Sequence, residues 1–164
     1  MTRHRALPAR HASETMTHRR LPALAFASVT FFALSGAPAL AEDNRQLATL
    51  PAAAQATLKQ EMLDNLLAIN DIIAMIGEGK VKEAGLLAEE KLGESAMGRN
   101  RALPIDARPG VHMPKAMHDL GILGHKAATT FAKAASTGDR DKALAALPGI
   151  TGTCVACHYS YRTR

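Results

Sequence analysis

The sequence is poor in aromatic residues. Its 164 residues hold no Trp, two Tyr and four Phe, and Phe26, Phe31 and Phe32 fall in one N-terminal run. Beyond residue 41 only Phe131, Tyr159 and Tyr161 remain. A domain of that size ordinarily fills its core with aromatic bulk. Here the core is wholly aliphatic, or something else supplies the volume. Cysteine is scarcer still, with Cys154 and Cys157 alone, and a bridge between them would close a tiny loop that adds little stability. Runs of β-branched residues with period two are missing, so the chain reads as helices throughout. Also missing are a Gly-rich phosphate loop, a helical His-Glu-x-x-His and any Ser, His and acid spacing that suggests a triad. Nothing marks the chain as an enzyme.

The formal charge of +5 is concentrated in one segment. Five of the 20 Lys and Arg and one of the 15 acids lie in residues 1–41, which leaves 15 bases, 14 acids and a net charge of +1 beyond them. A balanced chain of this kind gives no electrostatic footprint for a nucleic-acid partner. Within 1–41, Met16-Thr17-His18-Arg19-Arg20 is a short basic stretch, Leu21 to Ser35 is largely apolar, and Ala39-Leu40-Ala41 offers small residues to a signal peptidase. This is the layout of a secretory signal peptide cleaved after Ala41. The apolar stretch is 15 residues, shorter than the roughly 20 that a spanning helix needs, so no stable membrane anchor is expected. Residues 1–15 read as extra sequence from an upstream start. The expected domain is 42–164, and its expected location is the periplasm.

Four helices are predicted in that domain. The first runs from Pro51, a residue suited to a first turn, to Ile76, before Gly77 and Gly79. Its stripe is Met62, Leu66, Ile69, Ile73 and Ile76, at steps of three and four. The second spans Lys80 to Leu92 and turns Val81, Ala84 and Ala88 inward, with Leu87 beside them. Glu94 to Pro114, punctuated by Gly98, Pro104 and Pro109-Gly110, reads as a long connection. The third runs from Pro114 to Gly138 with Met117, Leu120, Gly124, Ala127, Phe131 and Ala134 on its stripe. The fourth begins at Asp139, a residue that caps helix N-termini, and extends to Arg162. Pro148-Gly149 is expected to kink or break it. Two short connections and one long one give an all-α four-helix bundle.

Both cysteines fall in Cys154-Val155-Ala156-Cys157-His158. Cys-x-x-Cys-His is the attachment signature of c-type haem. Two thiols three residues apart on a helical turn reach the vinyl groups along one haem edge, and the adjacent His offers a nitrogen to the iron. Covalent haem would also supply the missing apolar bulk. A thioredoxin-like dithiol needs a βαβ setting that the chain lacks, and a structural zinc site takes four ligands where this cluster has three.

The run His158-Tyr159-Ser160-Tyr161-Arg162 near the C-terminus of a helical exported chain resembles the cytochrome c′ family, whose motif sits on the last helix of a four-helix bundle and is followed by an aromatic and an Arg. Class I cytochromes c carry the motif near the N-terminus instead. The segment Gln60-Glu61-Met62-Leu63-Asp64-Asn65 resembles the first helix of the Met-ligated, low-spin branch of that family, where a Met is followed three residues later by Asn. Pro148-Gly149 departs from the family's uninterrupted last helix. The resemblance implies one haem c on the last helix, thioethers at Cys154 and Cys157, and His158 as proximal iron ligand. It makes Met62 the candidate sixth ligand and Arg162 a candidate partner of a haem propionate. It also raises homodimer formation through the first two helices.

Two of these assignments have rivals. Met62 stands on the apolar stripe, where Met is a common filler, and Arg162 also suits the C-terminal end of a helix dipole. Met117 is the alternative Met ligand; Met75, Met97 and Met113 are placed less well. His112, His118 and His125, at spacings of six and seven, read as exposed or rim residues. The expected function is single-electron transfer with redox partners that the sequence does not name. The alternatives are a five-coordinate haem protein that binds small gases, and a haem-free helical protein that uses its dithiol.

Overall fold

The computed structural model describes residues 42–164; the segment read as a signal peptide lies outside the described residues. Four helices, α1 (Ala52–Gly77), α2 (Val81–Leu92), α3 (Lys115–Ala135) and α4 (Arg140–Ser160), make the domain all-α. Short turns join α1 to α2 and α3 to α4. Gly79 and Gly138 occupy left-handed positions in those turns, at φ 80° and 77°, where only glycine is free of strain. Asp139 caps α4 as its residue type predicts: its side chain accepts from the N–H groups of Asp141 and Lys142, both at 3.0 Å. No helix among the described residues is long and apolar enough to cross a membrane.

The helices pack in sequence, α1 on α2, α2 on α3 and α3 on α4, while α1 and α4 barely approach each other. Gly85 on α2 sets the closest crossing. A Cβ there would stand 2.9 Å from the Cβ of Ala135 and 3.1 Å from the carbonyl of Ala132, so any larger residue pushes α2 off α3. Aliphatic burial falls into two clusters. The larger joins Ala68, Ile72 and Ile76 of α1, Val81, Ala84, Ala88 and Leu92 of α2, Ala128, Phe131 and Ala135 of α3, and Ala143 and Ile150 of α4. The smaller, at the opposite end, holds Ala48, Leu58 and Met117, with Leu50, Met113, Cys157 and Tyr161 packed against it.

Several expectations need correction. On α1 the buried face is Ala54, Leu58, Ala68, Ile72 and Ile76. Of the expected stripe Ile76 is buried and Ile69 half-buried, whereas Met62, Leu66 and Ile73 are exposed. The reason is that α1 is apolar almost all round, so spacing alone does not choose the face that meets α2. On α3 the face turns slightly, to Met117, Ala128, Phe131 and Ala135.

Helix α4 runs unbroken through Pro148. Proline deprives the Leu144 carbonyl of its donor, but both residues are exposed, where water can replace the lost bond. The same helix stops at Ser160, short of the expected Arg162. Tyr161–Arg162 is instead a strand, β2, paired in parallel with β1 (Gln46–Leu47). Within the long connection the chain forms three single-turn 3-10 helices, Glu94–Ala96, Ile105–Ala107 and Pro109–Val111.

Candidate functional site

The last two turns of α4 present Cys154, Cys157 and His158. A spacing of three puts the two thiols on neighbouring turns of one helix side. Both are free thiols; Cys154 is exposed and Cys157 half-buried. Cys154 Sγ donates weakly to the Ile150 carbonyl at 3.6 Å. Burial pushes both thiols above their ordinary range, and the neighbouring Cys154 raises Cys157 further. Both are therefore protonated at neutral pH, and neither has the lowered pKa of a thiolate nucleophile. His158 is exposed, and its backbone carbonyl accepts from Arg45 Nη1 at 3.4 Å.

Across from this side lies α1. The start of α1 meets the end of α4 in the smaller cluster, through Leu58 and Cys157, and the end of α1 meets the start of α4 in the larger one. The two helices are therefore antiparallel. Met62, one turn beyond Leu58, comes level with the turn of α4 that holds Cys154. Met62 is 37% exposed and stands outside both clusters. Between the clusters the facing helices carry small residues. A Cβ added at Gly121 of α3 or Gly152 of α4 would meet nothing within 4 Å.

The structure brings two other methionines to the thiols. Met117 is buried, and Met113 packs against the same cluster as Cys157. Met113 lies in the connection just before α3, with extended Pro114 between it and the helix, so no helical spacing in the sequence announces its place beside Met117.

Arg162 is not on α4. From its extended position its Nε lies 3.5 Å from Asp43 Oδ2. That Nε is shut off from solvent and lacks a hydrogen-bond partner among the described residues. Arg45 donates to both oxygens of Asp43, from Nε at 2.9 Å and from Nη2 at 2.8 Å. These bonds hold the Asp43 carboxyl down to about 2.

His125, expected at the rim, is half-buried and structural. Its Nδ1 donates to the Leu92 carbonyl at 2.7 Å, with Gly93 O at 3.1 Å, and so closes the end of α2. Glu61, beside Met62, is half-buried and accepts from Asn100 Nδ2 at 2.6 Å. Burial raises its pKa, against the pull of Arg99 and the Asn100 bond. Among the described residues, no three His, Cys, Asp or Glu stand together in a way that could hold a metal ion.

Two shallow clefts mark the surface elsewhere. One runs between α2 and α3, past Leu86 and Thr129, and the other lies between α1 and α2, past Leu67 and Leu87. Neither is lined by a residue of α4, so neither bears on the thiols.

Set against protein-family models, curated proteins and solved structures, the chain matches none.

Proposed function

We propose that the chain is an exported c-type cytochrome of the cytochrome c′ kind, which binds one haem c and carries single electrons in the periplasm. The observation that carries this reading is the motif's setting. Cys154, Cys157 and His158 lie on one unbroken helix, with both thiols free, on the helix that stands apart from α1.

The residues present fit the group. Cys154 and Cys157 would hold the ring edge by thioether bonds, and His158 would give the iron a nitrogen. Gly121 and Gly152 are exposed, with open space where a Cβ would stand, so neither would crowd a ring laid against α3 and α4. Among the described residues Arg162 Nε makes a long ion pair with Asp43, at 3.5 Å, and no hydrogen bond, and the residue is not at a helix end; both favour the propionate reading. Met62, level with Cys154 on the opposite helix, is the candidate sixth ligand. Its partial exposure suits a side chain facing an opening better than a core filler.

Bound haem supplies an iron that takes up and returns one electron. The protein holds the ring, chooses the axial ligands and sets the polarity around them. Val155 within the motif and Tyr159 just after it are 63% and 84% exposed, and give a redox partner an apolar landing surface beside the thioethers.

The test is the absorption spectrum of protein matured with haem in a periplasm, oxidised and reduced, with and without carbon monoxide. A sharp low-spin reduced spectrum, indifferent to carbon monoxide, is expected. A broad high-spin spectrum that shifts with carbon monoxide would replace electron transfer by gas binding at an open sixth position. A protein without covalent haem would leave the dithiol reading.

A further inference from the structure

The long connection is fastened to α1 on both sides of Met62. Asn100 donates to Glu61, the residue before Met62, at 2.6 Å in a half-buried setting. Further along, Met113 packs into the cluster that holds Leu58, one turn before Met62. The two turns between them, Ile105–Ala107 and Pro109–Val111, lie against α1. Residues 100–113 therefore run beside the one turn of α1 that carries Met62.

Apart from Arg99, whose Nη2 donates to the Lys91 carbonyl of α2, the rest of the connection is bonded to itself. Its backbone bonds are local, such as Arg101 N to Gly98 O at 3.0 Å and Met113 N to Pro109 O at 3.2 Å. Arg108 Nε donates to the Leu103 carbonyl at 2.7 Å, and His112 Nε2 pairs with the Ile105 carbonyl at 2.9 Å. Upstream the chain is pinned elsewhere: Glu94 N donates to Thr129 Oγ1 at 2.9 Å, and Ser95 N to Glu89 Oε1 at 3.1 Å. Gly98, at φ 78°, follows this anchor as a hinge. Among the described residues, Asn100 to Glu61 is the one side-chain hydrogen bond from residues 97–113 to α1. A preformed unit with one side-chain hydrogen bond to α1 loosens from α1 when that bond is cut.

We propose that residues 97–113 form a lid over the Met62 side of the haem, and that Asn100 and Glu61 are positioning residues that hold it closed against small ligands. The proposal rests on the haem reading above.

The test puts Asn100→Ala, Glu61→Ala and Glu61→Gln into haem-loaded Met62→Ala protein, whose sixth position is open, and follows carbon monoxide association to the reduced form by stopped flow. Amide exchange across 101–112 is measured in parallel, and circular dichroism checks that the helices are intact. Against Met62→Ala alone, adding Asn100→Ala or Glu61→Ala should speed carbon monoxide binding by roughly tenfold, the scale of one lost hydrogen bond, and their lid amides should exchange faster. Glu61→Gln should match Met62→Ala alone, because its amide oxygen still accepts from Asn100. Unchanged carbon monoxide rates with faster lid exchange would overturn the lid's role alone. A Glu61→Gln variant as open as Glu61→Ala would overturn the assignment to this hydrogen bond. A parent lacking covalent haem would overturn the haem reading and the lid with it, and that outcome is read directly from the spectrum.

Discussion

Arg45 donates from Nη1 to the backbone carbonyl of His158 at 3.4 Å. A side chain at the start of the domain thus touches the end of the helix that carries the motif. The contact belongs to a clasp. β1 pairs with β2, Asp43 sits between Arg45 and Arg162, and Gln55 donates to the Arg164 carbonyl. Ala48 and Leu50 then pack near Cys157 and Tyr161.

The clasp has a defined acid limit. Asp43 is held at about 2, below the ordinary aspartate value of 3.8, chiefly by its side-chain hydrogen bond to Arg45. A carboxylate lowered on folding contributes stability that is complete above its unfolded value and is lost as pH falls through the folded one. Asp43→Asn should therefore flatten the pH dependence of stability between about 4 and 2 and leave the acid slope above that window unchanged. Urea midpoints measured across pH 2 to 5 check this.

Met62→Ala should convert the haem protein from low to high spin and admit carbon monoxide to the reduced form. Optical spectra of parent and variant decide the matter. A variant that behaves like the parent removes Met62 as ligand.

Replacing both Cys154 and Cys157 with Ser should abolish colour that survives denaturation and acid-acetone extraction in the parent. Helical content should persist, because neither thiol belongs to the larger cluster. A variant that keeps extraction-resistant colour would defeat the covalent assignment.

Phe131 is fully buried at the meeting point of all four helices. Phe131→Ala should cost about 3–5 kcal/mol, the usual range for emptying such a site. Equilibrium unfolding in urea gives the number.

Leu63, Leu66 and Leu67 leave an apolar face of α1 exposed at 61%, 66% and 60%. If a second copy covers that face, Leu63→Glu with Leu67→Glu should give a monomer where the parent sediments as a dimer. Sedimentation velocity distinguishes the two, and a parent that is monomeric at high concentration ends the homodimer reading.

The helices were legible because punctuation residues act locally. Pro51, Gly79, Pro114, Gly138 and Asp139 each impose their turn or cap whatever surrounds them. The motif was legible for the same reason, being five consecutive residues. The buried face of α1 was not, since Leu63, Leu66 and Leu67 are as apolar as Leu58 and Ile72, and it is packing against α2 and the long connection that chooses between the faces. Two-residue strands have no periodicity to read, so the pairing of Gln46 with Tyr161 was hidden. The seats of His125 on α2 and of Met113 beside Leu58 join residues far apart in sequence, and no local spacing announces them.

The parallel ladder that links Gln46 to Tyr161 also governs timing. Closing so long a loop is entropically costly and slow, and it is rewarded only after the intervening helices have drawn its ends together. During synthesis the docking groove for Ala48 does not exist until Tyr161 and Arg162 have been added. A chain truncated by a few residues would keep all four helices and lose its clasp, and with it the restraint on the turn that carries His158.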